Sequence, residues 1–123
     1  NRLQLLLAVL EKRAGISLGQ YDVHVNVVGG LHASEPAADL AVALAVASAF
    51  KNAAIGNDVV VFGEVGLGGE IRSVSSLERR IKECETLGMK RVITRLREKN
   101  KKTSLIMTDC SEIAQLVSHV KNT

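Results

Sequence analysis

The sequence predicts a single domain of the α+β class, built from α/β layers, and three observations favour this fold. Its 123 residues match the length of one domain, enough to bury about 65% of the unfolded surface around one core. Segments with helical and strand patterns follow in the order helix, strand, helix, hairpin, helix, strand, strand, helix. Apolar residues make up 46% of the chain and aromatic residues only 2%, so the core must consist of Val, Leu, Ile and Ala.

The first half of the chain predicts two helices with a strand between them. Leucines at helical spacing predict a first helix over residues 2–14, which Gly15 ends. Valines alternate with polar residues in YDVHVNVV, which predicts a strand with one buried face. The stretch SEPAADLAVALAVASAF, residues 34–50, predicts a helix, because Ser34 can cap its N-terminus and Pro36 fits its first turn.

This second helix carries small apolar residues on every side. We therefore expect it to pack on more than one face, with Ala37 and Ala38 in a close helix contact. At Ala45 we expect a larger side chain to strain the core by about 1–3 kcal/mol.

A glycine-rich segment in the middle of the chain predicts a hairpin. In DVVVFGEVGLGGEIRSV we expect a central strand over residues 59–62 and a short second strand around residues 70–72. The turn GEVGLGG lacks the GxxxxGK[ST] string, which excludes a P-loop, and it misses GxGxxG because Ile71 replaces the last glycine. We interpret it as a turn that needs glycines with positive φ.

The second half predicts a helix, two strands and a final helix. The third helix, over residues 76–87, should bury Leu77, Ile81, Cys84 and Leu87. Strands over residues 91–93 and 104–107 flank the basic stretch RLREKNKK. The last helix should begin near Asp109 and carry Ile113, Leu116, Val117 and Val120.

Metal and redox sites find no support in the sequence. Cys84 and Cys110 lack CxxC spacing, which indicates two buried thiols in a reducing compartment. The histidines, His24, His32 and His119, show no metal-ligand spacing with them or with each other. No signal-peptide pattern is found and the longest uncharged run is too short to span a bilayer, so we expect a soluble cytoplasmic domain without a membrane partner.

Catalytic motifs are also missing. None of the serines stands in a GxSxG elbow, and a role as N-cap explains Ser34 without chemistry. The carboxylates of Glu64 and Glu70 lie near glycines, and we interpret them as solvated or turn residues.

Four ordered blocks carry a resemblance: NRLQLLLAVLEKRAG, VNVVGG, EPAADLAVALA and VVFGEVGLGGEIR. Together they resemble the C-terminal domain of the RadA (Sms) family of bacterial DNA repair and recombination ATPases, over residues 1–93. The resemblance implies the Lon-protease-like fold (ribosomal protein S5 domain 2-like), in which a mixed sheet packs with helices. Because such domains normally start with strands, we expect residues 1–123 to be a C-terminal fragment that lacks them.

The resemblance also implies a dead peptidase site. In active Lon-type proteases a Pro-Ser-Ala-Gly motif opens the second helix, and its serine is the nucleophile. Those four positions correspond to Pro36, Ala37, Ala38 and Asp39. The lysine base corresponds to Arg80, which stays protonated and cannot accept a proton. Asp39 would also place negative charge where an oxyanion has to be held. We therefore expect no catalytic residue in this chain.

The family's function implies partners for this domain. The resemblance implies three parts in the intact proteins. These are a zinc-finger segment, a RecA-like DNA-dependent ATPase that acts in branch migration, and a domain like this one. ATP, Mg and Zn would bind to the other domains of the intact protein, so we expect no cofactor in this domain. The domain itself would help to build a hexameric ring and contact DNA without sequence preference, alongside recombination proteins of the RecA type.

Basic residues supply the candidates for DNA contact, although a run of this kind is equally typical of a solvated loop. The candidates are Arg95, Arg97, Lys99, Lys101 and Lys102, joined by Arg79 and Lys82 of the third helix. Two other functions stay open: a Lon-like module of another AAA+ protein, of the competence or chelatase type, and a residual serine peptidase.

Overall fold

Two small sheets and four α-helices are formed by the residues that the computed structural model describes, which are 2–19, 23, 35–97 and 102–120. The helices and strands in chain order are α1 (Arg2–Ala14), a 3-10 turn (Pro36–Ala38), α2 (Asp39–Phe50), β1 (Val59–Val61), β2 (Glu64–Val65), β3 (Ile71–Arg72), α3 (Leu77–Thr86), β4 (Arg91–Thr94), β5 (Ile106–Asp109) and α4 (Ile113–Ser118). The strand predicted in YDVHVNVV and the cap predicted at Ser34 lie outside the described residues.

The larger sheet is parallel, with the strand order β1-β4-β5. Val60 pairs with Val92 and Val92 with Met107, so the three strands run in one direction and their carboxyl ends meet at one edge. The smaller sheet is the antiparallel pair β2-β3. The fold is therefore mixed α/β, with one parallel and one antiparallel sheet, and it is consistent with the predicted α+β class of α/β layers.

The predicted hairpin forms between other residues than we expected. β1 pairs with β4, and the hairpin partner of β3 is β2, not the segment 59–62. The chain leaves the parallel sheet at Gly63, whose N–H donates to Ala37 O at 2.9 Å and whose carbonyl accepts from Leu40 N at 3.0 Å. The glycine turn itself is confirmed, since Gly69 has a φ of +82°.

Two apolar cores lie on opposite sides of β4, because successive side chains of a strand point to opposite faces. Ile93 belongs to the larger core, which α1, α2 and α4 share. Val92 belongs to the smaller core under α3, where Phe62 and Cys84 are also buried. Among the described residues the core is mostly aliphatic, as the composition predicts, with Phe62 and the two cysteines as the exceptions.

The second helix is buried on one side only. Ala43 and Ala47 have no exposed surface, whereas Ala45 and Ala49 are exposed. The expectation that Ala45 occupies a tightly packed site is therefore wrong. Successive side chains of an α-helix lie 100° apart and therefore point to every side of the helix. One sheet and two neighbouring helices cover only some of these sides, so Ala45 is left exposed.

The ends of the later elements also differ from the prediction. Leu87 follows the last turn of α3 and is 70% exposed, although Leu77, Ile81 and Cys84 pack as expected. Asp109 ends β5 and does not begin the last helix, which starts at Ile113. The apolar spacing of α4 locates its buried face but not its first residue.

Candidate functional site

The first turn of α2 and the 3-10 turn before it occupy the position that could have carried a nucleophile. Ala38 N donates to Glu35 O at 2.9 Å, and Asp39 N donates to Pro36 O. Leu40 N donates to Gly63 O at 3.0 Å. An oxyanion hole needs free donors aimed at the reacting oxygen. These three amides are already bonded to backbone carbonyls and cannot provide one.

Ala37 is half-buried in the 3-10 turn. Its carbonyl accepts a hydrogen bond from Gly63 N, which ties the turn to the end of β1. Its side chain is a methyl group, which has no atom that can act as a nucleophile. The residue contributes to the connection between helix and sheet.

Asp39 is 1% exposed and lies at the start of α2. Both of its oxygens accept hydrogen bonds from Arg2, with Arg2 Nε donating to Oδ1 at 2.9 Å, and Val65 N donates to Oδ2 at 3.1 Å. This hydrogen bonding raises the pKa of Arg2 above its ordinary value. The carboxylate does lie at the first turn of α2, and its charge is paired with Arg2.

The contribution of Arg2 was missed by the sequence analysis. Arg2 and Asp39 are 37 residues apart in sequence. Helical spacing reports only neighbours three or four residues apart, so no local pattern indicates this pair.

Arg80 stands where the resemblance predicts the lysine base of active Lon-type proteases. Its Nε donates to Ser75 O at 3.0 Å, its Nη2 lies 3.4 Å from Glu35 Oε1, and its guanidinium is 5.7 Å from the centre of the Phe62 ring. At this distance the guanidinium of Arg80 and the ring of Phe62 form a cation–π contact. Since Glu35 directly precedes the 3-10 turn, the structure brings Arg80 to the same region as Ala37.

The candidates for DNA contact fall on several elements. Arg95 Nη1 lies 3.6 Å from Asp109 Oδ2, and Arg97 Nε donates to Ser73 Oγ at 2.6 Å. Among the remaining candidates, Arg79, Lys82 and Lys102 are exposed. Lys99 and Lys101 lie outside the described residues.

One face of α3 connects two of these groups. Arg79, Lys82 and Glu85 follow each other at intervals of three residues and therefore share a face. The carboxylate of Glu85 accepts hydrogen bonds from the Thr103 hydroxyl at 2.9 Å and from Ser104 N at 3.3 Å. The residues that follow the basic stretch are thus attached to the face of α3 that carries Arg79 and Lys82.

A further ion pair was not predicted. Arg72 Nη2 lies 3.1 Å from Glu70 Oε2, and Glu70 also accepts from Gly68 N at the hairpin turn. Hydrogen bonds to its own backbone N–H and to Arg72 lower the pKa of Glu70 below its ordinary value. Glu70 directly precedes β3 and Arg72 ends it, so period-two alternation could have indicated a shared face.

The described residues contain no group of three or more His, Cys, Asp or Glu side chains that could hold a metal ion. Cys84 and Cys110 are buried free thiols, and burial raises the pKa of both. Within the same ranges, no helix is long and apolar enough to cross a membrane.

Comparisons with known proteins find one matching family model and several similar proteins that share one name. Residues 6–98 match the family model described as subunit ChlI of Mg-chelatase. The chain is 50% identical over 93 residues to DNA repair protein RadA of Halalkalibacterium halodurans, a match that covers 76% of this chain and 20% of that protein. The proteins of the same name from Chlamydia pneumoniae and Aquifex aeolicus are 56% and 54% identical over 76% of this chain, which is 20% and 21% of their lengths. The chain thus spans about a fifth of each of these relatives.

Proposed function

From the chain's membership of the family described as subunit ChlI of Mg-chelatase, and from its likeness to RadA proteins, we propose a function in DNA repair. It is a catalytically inactive Lon-like domain that contacts DNA and helps to assemble the ring of a RadA-type ATPase. One observation carries the proposal: about half of the residues over three quarters of the chain are identical to those of several DNA repair proteins RadA.

The degenerate peptidase positions support the absence of catalysis. Ala37 offers no nucleophile, and a guanidinium at Arg80 cannot act as the base. The amides of the first turn of α2 are occupied by backbone carbonyls. Three separate requirements of a serine peptidase are therefore unmet at this site.

ATP hydrolysis, zinc binding and hexamer formation belong to our proposal for the whole protein, in which this segment would be one domain. Exposed cations on α3 and near β5 support the role in DNA contact, because neutralising phosphates supplies most of the affinity in sequence-independent binding.

Duplex DNA of several unrelated sequences tests the DNA contact. We expect one affinity for all of them, with a log–log salt slope of about −0.9 for each phosphate contact. Replacing Lys99, Lys101 and Lys102 together by Glu should weaken binding and flatten the slope. The control is the same reversal at Lys12 and Arg13, at the end of α1, which should cost less for each charge reversed. Equal losses per reversed charge would show a response to net charge alone, and absence of binding would refute the DNA contact.

The family description favours a second candidate, a Lon-like module of a chelatase-type AAA+ protein. The two candidates differ in the ATPase encoded beside this segment. A RecA-like ATPase in the same polypeptide supports the RadA-type function, and a chelatase-type AAA+ module supports the alternative.

A further inference from the structure

β5 is an outer strand of the parallel sheet, and its outer side has no neighbouring strand among the residues that the structure describes. It pairs with β4 alone, in the strand order β1-β4-β5. Ile106 N donates to Lys90 O at 2.9 Å. Alternate residues of a parallel strand bond to the same neighbour. The backbone N–H and C=O groups of Met107 and Asp109 therefore point away from β4.

This outer side carries none of the usual protection against further pairing. Edge strands are commonly protected by a lysine, a proline or a bulge. The sequence of β5 is IMTD, its register with β4 is continuous, and its one charged residue is Asp109 at its end. Ile106 is 56% exposed at the other end of the strand. An open edge beside an exposed β-branched residue suits the addition of another strand.

The protein's own hairpin already pairs with the same side of the chain just beyond β5. Ile71 N donates to Ser111 O at 2.9 Å, and Glu70 forms an antiparallel bridge with Glu112. By the same alternation, the Ser111 carbonyl points to the outer side of β5. A segment added beside β5 therefore continues an edge that accepts a strand in the fold itself.

Basic side chains lie at the amino end of β5. The Lys90 carbonyl is bonded to Ile106, Arg91 is the register partner of Ile106, and Lys102 precedes the strand. All three cations are exposed. The carboxylate of Glu85 at this end already accepts hydrogen bonds from the segment that leads into β5. Acidic residues in an added segment would complement these charges.

We propose that the outer side of β5 binds an extended segment of a partner protein, which joins the sheet as a further strand. The outward backbone groups of Met107 and Asp109 pair with the backbone of this segment. Its β-branched residues cover Ile106 on one face and Met107 on the other. Its acidic flanks pair with Lys90 and Arg91. The interaction does not depend on DNA contact.

A synthetic peptide with a core of valines and glutamates at both ends is the probe for this surface. Fluorescence anisotropy of the labelled peptide should show saturable binding to the chain. The same peptide with lysines in place of the glutamates should bind about tenfold more weakly, because exposed ion pairs with the cations are lost. Absence of binding by the acidic peptide, or equal binding by both peptides, would overturn the proposal.

Backbone pairing has its own signature. Amide hydrogen exchange, followed by NMR, should slow at Met107 and Asp109 when the peptide binds, because their N–H groups then become bonded. The acidic peptide with every valine amide N-methylated lacks the donors for a ladder and should not bind detectably. Equal affinity of the methylated peptide, or unchanged exchange at both amides, would show that the peptide does not join the sheet.

Variants of the chain locate the surface. Ile106→Thr keeps a β-branched residue but removes apolar area, and it should weaken peptide binding about fivefold. Its control is Leu67→Thr in the hairpin turn, where the leucine is 72% exposed. Reversing Lys90 and Arg91 together to Glu should weaken binding about tenfold.

The control for the charge reversal is Lys12→Glu with Arg13→Glu, the same change in net charge at the exposed end of α1. Thermal melting by circular dichroism confirms that each variant is folded. Equal losses from a variant and its control would place the peptide elsewhere and overturn the proposal.

A second copy of the chain is the competing occupant of this edge. Sedimentation and amide exchange of the chain without peptide, at rising concentration, distinguish the two. A monomer whose Met107 and Asp109 amides exchange freely until peptide is added supports the proposal. If both amides become protected as the chain self-associates, the edge pairs with another copy and the proposal is overturned.

Discussion

Arg2 donates from Nε to Asp39 Oδ1 at 2.9 Å, and this ion pair joins the first turn of α1 to the first turn of α2. The same carboxylate accepts from Val65 N, so the hairpin is attached as well. Three elements that are distant in sequence meet at one buried charge. The resemblance to Lon-type proteases aligns Asp39 with the glycine of their catalytic motif, where this chain has a structural carboxylate.

Arg2→Met should lower the free energy of unfolding by about 3 kcal/mol, because it leaves the buried carboxylate of Asp39 without its cation. Asp39→Asn should cost less, about 1–2 kcal/mol, since the Arg2 side chain is 32% exposed and can be hydrated. Urea denaturation measures both, with Lys12→Met on the exposed end of α1 as the control. Equal costs for the two variants would contradict the asymmetric burial of the pair.

The chain should show no peptidase activity, and neither Ala37→Ser nor the double variant Ala37→Ser with Arg80→Lys should restore it. Even with a serine at position 37 and a lysine at position 80, the amides of Ala38, Asp39 and Leu40 remain bonded to carbonyls. These amides therefore cannot stabilise an oxyanion. Incubation with unfolded protein and a serine-reactive phosphonate measures this beside an active serine protease. Labelling at residue 37, or turnover above the buffer rate, would disprove the prediction.

Ala47→Leu should destabilise the fold by about 1–3 kcal/mol, whereas Ala45→Leu on the same helix should change stability by no more than about 0.5 kcal/mol. Ala47 is fully buried against the larger core and Ala45 is exposed. Thermal melting of the two variants compares identical changes in volume two residues apart. A clear loss of stability in Ala45→Leu would show that this face is covered.

Iodoacetamide should alkylate Cys84 and Cys110 slowly at neutral pH. Burial raises the pKa of both thiols above the ordinary 9.0, so the reactive thiolate becomes common only at higher pH than for an exposed cysteine. Mass spectrometry over time, in buffer and in 8 M urea (about the concentration that unfolds most domains), measures the rates. Similar rates in both solutions would mean that the thiols are accessible in the fold.

Self-association should increase with concentration if the chain contributes to a ring. Ring contacts are head-to-tail, so the two surfaces in each contact should differ. Analytical ultracentrifugation over a range of concentrations measures association, and cross-linking with mass spectrometry identifies the contacting residues. A closed two-fold dimer with identical surfaces would contradict the ring.

The sequence alone determined the class of the fold and the position of α1, because hydrophobic periodicity depends on local geometry. The predicted first helix ends at the observed residue, and the described part of the core is mostly aliphatic, as the composition predicts. The composition and motifs also led to a family resemblance that the RadA relatives confirm. The chemistry of Ala37 and Arg80, a methyl group and a guanidinium, can also be read without coordinates.

Only the tertiary structure decided which strands pair and which charges meet. The segment 59–62 is apolar in either pairing, and the break at Gly63 depends on hydrogen bonds to Ala37 and Leu40. Arg80 and Glu35 are 45 residues apart, and Arg97 and Ser73 are 24 apart. Charge and hydrogen-bond partners at such separations leave no periodic trace in a sequence, because the fold that brings them together is set by burial of the apolar residues between them.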